Sequence, residues 1–488
     1  MIRLMDLSPQ SAWTERVRAF EERMAGASER LKLLDKAVVC THHDCDGMTS
    51  GGIMTQALRR AGVKVDTITL KQLYSEDIAR LAHFKSTIVF TDFGSGYIPL
   101  LQKEMPQPFY ILDHHQKGEG DFEGHLNPMQ FGLDGGTEIS AAGIAYWVAK
   151  GMDPKNKDLS SIGVVGAVGD MQDARTYGLQ GMNAVMLQEG VAQGVLDVKK
   201  DLRLYGRISR PLVQYISFCT NPILPSLTAN PENSLRFLQS LGIPLQTREG
   251  KWRSYEELDP DEKKTLSTAL ILHLHEHKAP PWKLDELVGE VYTLVKENEK
   301  SPLRDAKEFS TVLNACGRNG QSTIGFEVCM GDREDYYARA MGLLQEHRRN
   351  LAEGIRLMQE EGLKTHAHFY FFDAEQRIKD TIVGIVAGML YGSGTVPTDK
   401  PIVAFARHTD GSIKVSARAT SELVRGGVNL GLALRETCLE IGKSAEGGGH
   451  KIAAGCRIEA DQAEAFLKAF DTKLGQQMDG NIKSLKTG

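Results

Sequence analysis

The chain has no run of the roughly 18 consecutive apolar residues that a membrane-spanning helix needs, so no membrane segment is expected. Its opening stretch, MIRLMDLSPQSAW, lacks the continuous apolar core of a secretory leader, and a cytoplasmic location is expected. Cysteine is scarce: seven residues, an odd number, with no CxxC pair. That argues against a disulfide or zinc framework and for reduced thiols. Internal repeats and low-complexity tracts are absent. Excess charge is small, a net −5 over 488 residues. A cluster of carboxylates beside a separate basic groove would give the same sum, so the total leaves nucleic acid open and the local distribution matters more. The composition, 41% hydrophobic and 25% charged, is that of a globular protein. The length allows two or three domains of roughly 150 residues each.

The apolar pattern divides the chain. Residues 11–36 read as an amphipathic helix, with Trp13, Val17, Phe20, Met24, Leu31 and Leu34 near helical spacing. Strand-like runs at 37–41, 64–70, 86–91 and 108–112 then alternate with helical patterns at 50–61, 76–83 and 97–103. Such alternation predicts an α/β fold with a parallel sheet and helices on both faces. A helix is expected at 138–150, after a glycine-rich loop, and a buried helix at 161–169. Residues 205–334 have a proline-rich texture with short helices at 231–241, 259–276 and 303–315, and read as a mainly helical insert or partner-binding module. Residues 335–362 keep Ala340, Leu344, His347, Leu351, Ile355 and Met358 on one face and read as a connector helix. From 363 to 488 a second, smaller α/β domain is expected, with strands in HAHFYFFDA, PIVAFARH and SIKVSARAT and helices at 379–391, 429–442 and 461–477.

Four apolar runs end in acidic residues or histidine. Val38-Val39-Cys40 leads to His42-His43-Asp44-Cys45-Asp46-Gly47. Thr87–Phe90 leads to Thr91-Asp92, Phe109–Leu112 to Asp113-His114-His115, and Ile162–Val168 to Gly169-Asp170. Open α/β sheets bind ligands at the carboxyl ends of their strands, so these endings predict one shared site. Hard divalent cations prefer carboxylate oxygens, and Mn²⁺ also accepts imidazole. In an extended backbone residues i and i+2 point the same way, so His42, Asp44 and Asp46 are expected to face one pocket. Asp92 could bridge two ions, and His114 and Asp170 add ligands. Two cations held together are the toolkit of phosphodiester hydrolysis. A lone aspartate after a strand is usually a cap or turn residue; four endings in order argue against that for the set. His43 and His125 stay unassigned.

These residues resemble a known family. HHDCDG at 42–47, TDFGSG at 91–96, DHH at 113–115 and VGAVGDMQD at 165–173 are similar to the four motifs of the DHH phosphoesterase superfamily. GGGHKIAAG at 447–455 is similar to the glycine-rich signature of the DHH-associated domain. ISRPLVQYISFCTNPILPSL at 208–227 resembles the middle of archaeal RecJ-like single-strand exonucleases of the GINS-associated type. The resemblance implies a DHH catalytic domain at 1–204 and a substrate-binding domain at 363–488. It implies two divalent metal ions, Mn²⁺ favoured and Mg²⁺ the alternative. One would take His42, Asp44 and Asp92, and the other Asp46, Asp92, His114 and Asp170. Asp113 would orient a neighbouring histidine, and His115 would contact the scissile phosphate. The family's first motif often has aspartate where this chain has His42. GINS and the MCM helicase are implied as partners, because the same fold occurs in the replicative-helicase subunit that binds them.

The expected reaction is two-metal hydrolysis of a single-stranded nucleic acid, DNA or RNA, in replication or repair. In the second domain Gly447, Gly448 and Gly449 would let backbone amides approach phosphates. His450, Lys451 and Arg418 are candidate contacts, as are Arg407 and Lys414, through phosphate neutralisation. A cleft between lobes would admit one strand more easily than a duplex. The alternatives are a phosphodiesterase of short oligonucleotides or cyclic dinucleotides, and a scaffold in a replication complex. A family II-like pyrophosphatase has a related core but a shorter chain and a different first motif.

Overall fold

The computed structural model describes residues 9–394, 396–408, 410–442 and 446–486. The opening stretch on which the leader expectation rests therefore lies in part, at 1–8, outside the described residues. The chain divides into two units. The first contains 1–215 and 241–344, and the second 216–240 and 345–488.

In the first unit, a helix α1 (Pro9–Leu31) precedes β1 (Lys36–His42), α2 (Cys45–Arg60), β2 (Lys64–Leu70), α3 (Ser75–Leu81), β3 (Thr87–Thr91), α4 (Ile98–Glu104), β4 (Phe109–Leu112) and β5 (His125–Leu126). The strands form a parallel sheet in the order β2-β1-β3-β4-β5. Val38, Val39 and Cys40 on β1 and Ile88, Val89 and Phe90 on β3 are all buried. Such runs do not alternate because helices cover both faces. Val39 and Val89 pack with α1 and α2, and Val38 and Phe90 with α3 and α4. The chain leaves β1 for β2 on one side and reaches β3 on the other, so the strand order reverses between β1 and β3. That crevice is where open α/β sheets bind ligands.

Next come α5 (Ala141–Met152), α6 (Ser160–Gly169), α7 (Gly181–Ala192) and β6 (Leu196–Leu202). The run at 161–169 is the buried helix that the sequence suggests. Its Gly166 is required by packing: a Cβ there would lie 2.4 Å from Thr49 Oγ1 and 2.7 Å from Asp46 Oδ1. The middle of the chain gives α8 (Leu212–Ser217), α9 (Pro231–Ser240), α10 (Pro260–Glu276), α11 (Pro281–Leu287), β7 (Val288–Leu294), α12 (Ala306–Arg318) and α13 (Ser322–Cys329). β7 pairs antiparallel with β6, and 216–240 belong to the second unit while 241–334 belong to the first. The long helix α14 (Asp335–Glu361) follows.

In the second unit β8 (Lys364–Thr365), β9 (Tyr370–Asp373), α15 (Val383–Leu390), β10 (Ile402–Arg407), β11 (Ile413–Arg418), α16 (Ser421–Arg425), α17 (Leu430–Ile441), β12 (Glu446–Gly449), β13 (Ala453–Ile458) and α18 (Ala463–Lys486) complete the chain. Six strands form a mixed sheet in the order β12-β13-β11-β10-β9-β8. One face, with Phe371, Val403, Phe405, Val415 and Cys456, packs on α17 and α18. The other, with Phe372, Ile402, Ala404 and Ala406, packs on α15.

Candidate metal centre

His42 is the last residue of β1, and Asp44 caps α2 by accepting the Gly47 amide at 3.0 Å. The expectation of an extended His42–Asp46 stretch needs correction here. Because Asp44 caps the helix, α2 begins at Cys45 and Asp46 lies in its first turn. The two carboxylates reach the site by different routes. Asp46 is buried and accepts the amides of Ala141 at 2.8 Å and Ala142 at 3.0 Å, at the start of α5. A helix N-terminus is a favourable place for an anion.

Asp92 follows β3 with φ of 68°, an uncommon conformation for a residue with a Cβ. Its oxygens diverge. Oδ2 lies 3.2 Å from His42 Nδ1, and Oδ1 lies 3.3 Å from His114 Nε2. His42 Nδ1 is also 3.0 Å from Asp44 Oδ1. His114 Nε2 lies 3.6 Å from Asp46 and 3.7 Å from Asp170, which follows α6. The ligand atoms of His42, Asp44 and Asp92 all fall within 4.8 Å of one another. So do those of Asp46, His114 and Asp170, and those of Asp92, His114 and His115.

These groups fit divalent cations on the evidence of their own hydrogen bonding. His114 Nδ1 donates to the Gly135 carbonyl at 2.6 Å. The other nitrogen, Nε2, points at three carboxylates and makes no hydrogen bond, and neither does Asp92 Oδ1. Both atoms are buried. A nitrogen aimed at carboxylate oxygens calls for a proton or a cation between them, and a fixed Nδ1–H is the usual second contact of a metal-ligating histidine.

The electrostatics agree. Burial alone would lower the His114 pKa, but Asp92, Asp170 and Asp46 overcome it and hold it well above the usual histidine range. Burial likewise opposes the charge of His42, and Asp44 and Asp92 raise it. Burial, with Asp92 and Asp170 nearby, pushes Asp46 well above the usual carboxylate range. Burial also raises Asp170. Burial would raise Asp44 too, but His42 holds it low. A divalent cation would take over the role that these protons play.

Asp113 is buried and accepts from His115, from the backbone amide at 3.2 Å and from Nδ1 at 2.8 Å. Burial disfavours the His115 charge, but Asp113 raises its pKa to about 9. The ring is more than half exposed, so it stands beside the candidate metal ligands and faces solvent.

Further side chains surround these groups, Gln172 and His43 from within the 165–173 and 42–47 motifs and others from elsewhere in the chain. Gln172 donates to the Gly135 carbonyl at 2.8 Å and to Asp170 at 3.1 Å, and accepts from Asn183 at 2.6 Å. Gly135 has no room for a side chain, since a Cβ would lie 2.2 Å from the His114 carbonyl oxygen. His43 packs edge-on against His42. Burial first, then His42 and the cations Lys71 and Arg318, push its pKa down to about 4. Lys71 follows Leu70, which pairs with His42 across β1 and β2. Arg318 ends α12, whose Gly317 closely approaches the His43 carbonyl.

The second unit separates its candidates. Arg418, Ser416 and Lys414 lie on the α15 side of β11, opposite Ile402, Ala404 and Ala406. Arg418 also pairs in register with Ala453. His450 and Lys451 are exposed in the turn before Ala453, so they sit at the Arg418 end of the sheet. Gly447 is explained by packing, because a Cβ would lie 2.3 Å from Leu434. Gly449 has φ of 139°, and Gly448 faces open space. Arg407 lies at the other end of the strands and on the other side, opposite Ile413, with its guanidinium 2.7 Å from Asp373.

Family models match three parts of the chain: the DHH family N-terminal domain at 36–166, a DHH-CID domain at 204–288 and a DHHA1 domain at 367–476. An uncharacterized protein of Methanocaldococcus jannaschii is 32% identical over 453 residues, covering 90% of this chain and 93% of its own. Among solved structures, CDC45 from Entamoeba histolytica is similar with a TM-score of 0.59 at 13% identity, over 95% of this chain and 98% of that one. RecJ from Thermus thermophilus in complex with Mn²⁺ is similar with a TM-score of 0.57 at 14% identity. That match covers 94% of this chain and 55% of the RecJ chain, so this chain spans about half of that protein. An exonuclease RecJ bound to manganese matches with a TM-score of 0.53 at 15% identity, over 94% of each chain. Among the described residues no helix is long and apolar enough to cross a membrane.

Proposed function

We propose, from the premise that this chain belongs to the DHH superfamily and is RecJ-like in build, that it is a metal-dependent exonuclease acting on single-stranded nucleic acid. The observation that carries the reading is the placement of Asp92. One carboxylate oxygen faces His42 and the other faces His114, at the carboxyl ends of adjacent strands. His42, Asp44 and Asp92 would hold one cation, and Asp46, Asp92, His114 and Asp170 a second, with Mn²⁺ favoured and Mg²⁺ the alternative. When bound, such ions supply a hydroxide at neutral pH and neutralise phosphoryl oxygens.

The chain's own residues do the rest. Asp46 stays anionic against burial because two amides of α5 bond to it once a cation offsets Asp92 and Asp170. Gln172 holds both the Gly135 carbonyl and Asp170, which keeps Nδ1 of His114 protonated and Nε2 available. His115, cationic through Asp113, would donate to a non-bridging oxygen of the scissile phosphate. Stabilisation of developing charge by fixed donors is commonly the largest catalytic contribution. Lys71 and Arg318 add positive field on the Asp44 side. In the second unit, Arg418, His450, Lys451 and the open backbone at Gly448 would track the phosphates of one strand, with Lys414 beside them. Arg407 stands apart from them and is paired with Asp373. The full acidic set supports an enzyme over a pure scaffold.

The test is incubation with Mn²⁺ and a long single strand of DNA or RNA labelled at either end, beside a dinucleotide. Progressive shortening, lost in Asp44→Ala, is the expected result. Cleavage of the dinucleotide alone would make the protein a small-substrate phosphodiesterase. No cleavage of either would move it to a structural role, checked by co-purification with GINS and MCM.

A further inference from the structure

Behind His115 lies a closed circuit of hydrogen bonds apart from the candidate ligands His42, Asp44, Asp46, Asp92, His114 and Asp170. The Ser95 amide donates to Asp113 Oδ2 at 3.0 Å. The other Asp113 oxygen accepts from the amide and Nδ1 of His115. The His115 carbonyl accepts from Asn127 Nδ2 at 2.9 Å, and the same Nδ2 donates to Ser95 Oγ at 2.9 Å, which closes the ring. The Asn127 orientation is fixed, because its Oδ1 accepts from the Met129 amide at 3.0 Å.

His125 supports this ring from outside. Its Nε2 lies 2.9 Å from Ser95 Oγ. Its Nδ1 faces the Gln130 amide nitrogen, which also donates to Asp121 at 2.8 Å. His125 and Ser95 therefore share a hydrogen bond at Nε2, with the other face of the ring against Gln130 and Asp121. Ser95, Asn127 and His125 are fully buried, and Asp113 is nearly so. Ser95 is thus no nucleophile, although a serine, a histidine and an aspartate stand in line. His115 is the one member of the ring that reaches solvent.

We infer that Ser95, Asn127 and His125 are positioning residues, a buried relay that fixes the aim of His115 at the scissile phosphate; this rests on the proposed phosphodiesterase reading. Burying three polar side chains is costly unless every donor is satisfied. Satisfied donors hold a neighbour in one orientation, and small misplacements at a reacting centre cost large factors in rate.

The experiment pairs Ser95→Ala with His115→Ala. Ser95→Ala deletes only the hydroxyl and leaves the amide that holds Asp113. Expected is a fall in kcat of about tenfold with KM changed less than about twofold, and no further fall when Ser95→Ala is added to His115→Ala. His125→Gln, which keeps a donor, should retain most of the activity. An equal loss in both backgrounds, or no loss in either, would overturn the relay. A second readout is independent of turnover: the His115 Nδ1 proton, followed by NMR in ¹⁵N-histidine protein, should exchange with water about tenfold faster in Ser95→Ala. Unchanged protection would overturn the inference. Absence of hydrolysis by the unaltered protein would instead overturn the nuclease reading and leave this proton to decide the relay.

Discussion

In the first unit carboxylates and imidazoles converge at the crevice where the strand order reverses, with Asp46, Asp92 and His114 buried and Asp44, Asp170 and His115 open to solvent. In the second unit the candidate cations are spread along a sheet: Arg407 is paired with Asp373, Arg418 lies half-buried against α15, and His450 and Lys451 are exposed. Like charges gathered in a buried place cost free energy that only a cation offsets, so they point to a ligand. Cations that are exposed or already paired demand no ligand. Chemistry can therefore be argued from the first unit, whereas in the second only the grouping of residues at one end carries weight.

The largest expected effect would break this contrast at its source. Asp44→Ala or Asp170→Ala should lower phosphodiester hydrolysis by about a thousandfold or more and leave circular dichroism unchanged. Near-normal turnover in either would remove the residue from the site.

A second prediction concerns Gly135. A Cβ there would meet the His114 carbonyl at 2.2 Å. Gly135→Ala should destabilise the protein by about 1–3 kcal/mol and weaken Mn²⁺ binding, read by thermal melting and calorimetry. No change in either would show that His114 does not depend on this close approach.

The third prediction uses pH. Asp46 is raised above its ordinary value near 3.8 by burial and by Asp92 and Asp170. A raised acid binds its proton more tightly in the folded state, so it favours folding below that ordinary value. That contribution is lost as pH rises through the folded pKa. In chelator, the unaltered protein should lose Tm relative to Asp46→Asn as pH rises from 4, and added Mn²⁺ should remove the difference. A difference that does not change with pH would contradict this.

The smallest effects lie in the second unit and would sharpen the comparison there. Arg418→Ala should weaken binding of a long single strand several-fold and reduce the salt slope by about one, while Arg407→Ala changes binding less than about twofold. Equal effects, measured by fluorescence anisotropy, would remove the distinction drawn from strand register.

Much of the first unit is legible in the sequence. β1, β3 and β4 follow from apolar runs, β2 from β-branched alternation, and the helices between them from helical spacing. The four endings in Asp or His follow because ligands gather at the carboxyl ends of strands. The local path from Asp44 to Asp46 does not follow, because a capping aspartate and an extended one look alike until the helix start is known. Gln172 lies within the 165–173 motif, but Gly135, Lys71 and Arg318 are not legible. Their places depend on tertiary approach between segments far apart in the chain. The same holds for 216–240, which packs with the second unit although the flanking sequence packs with the first. In the second unit β9 and β10 are legible as apolar runs and β11 from its alternating residues. Which side and end each cation occupies requires the register, and that is what separates Arg407 from Arg418.

The central claim is that Asp92 joins two cation sites, and counting bound Mn²⁺ tests it most directly. Calorimetric or paramagnetic titration should give two ions per chain for the unaltered protein, and Asp92→Asn should lose both at the same concentrations. One ion in the unaltered protein, or two still bound by Asp92→Asn, would contradict the account.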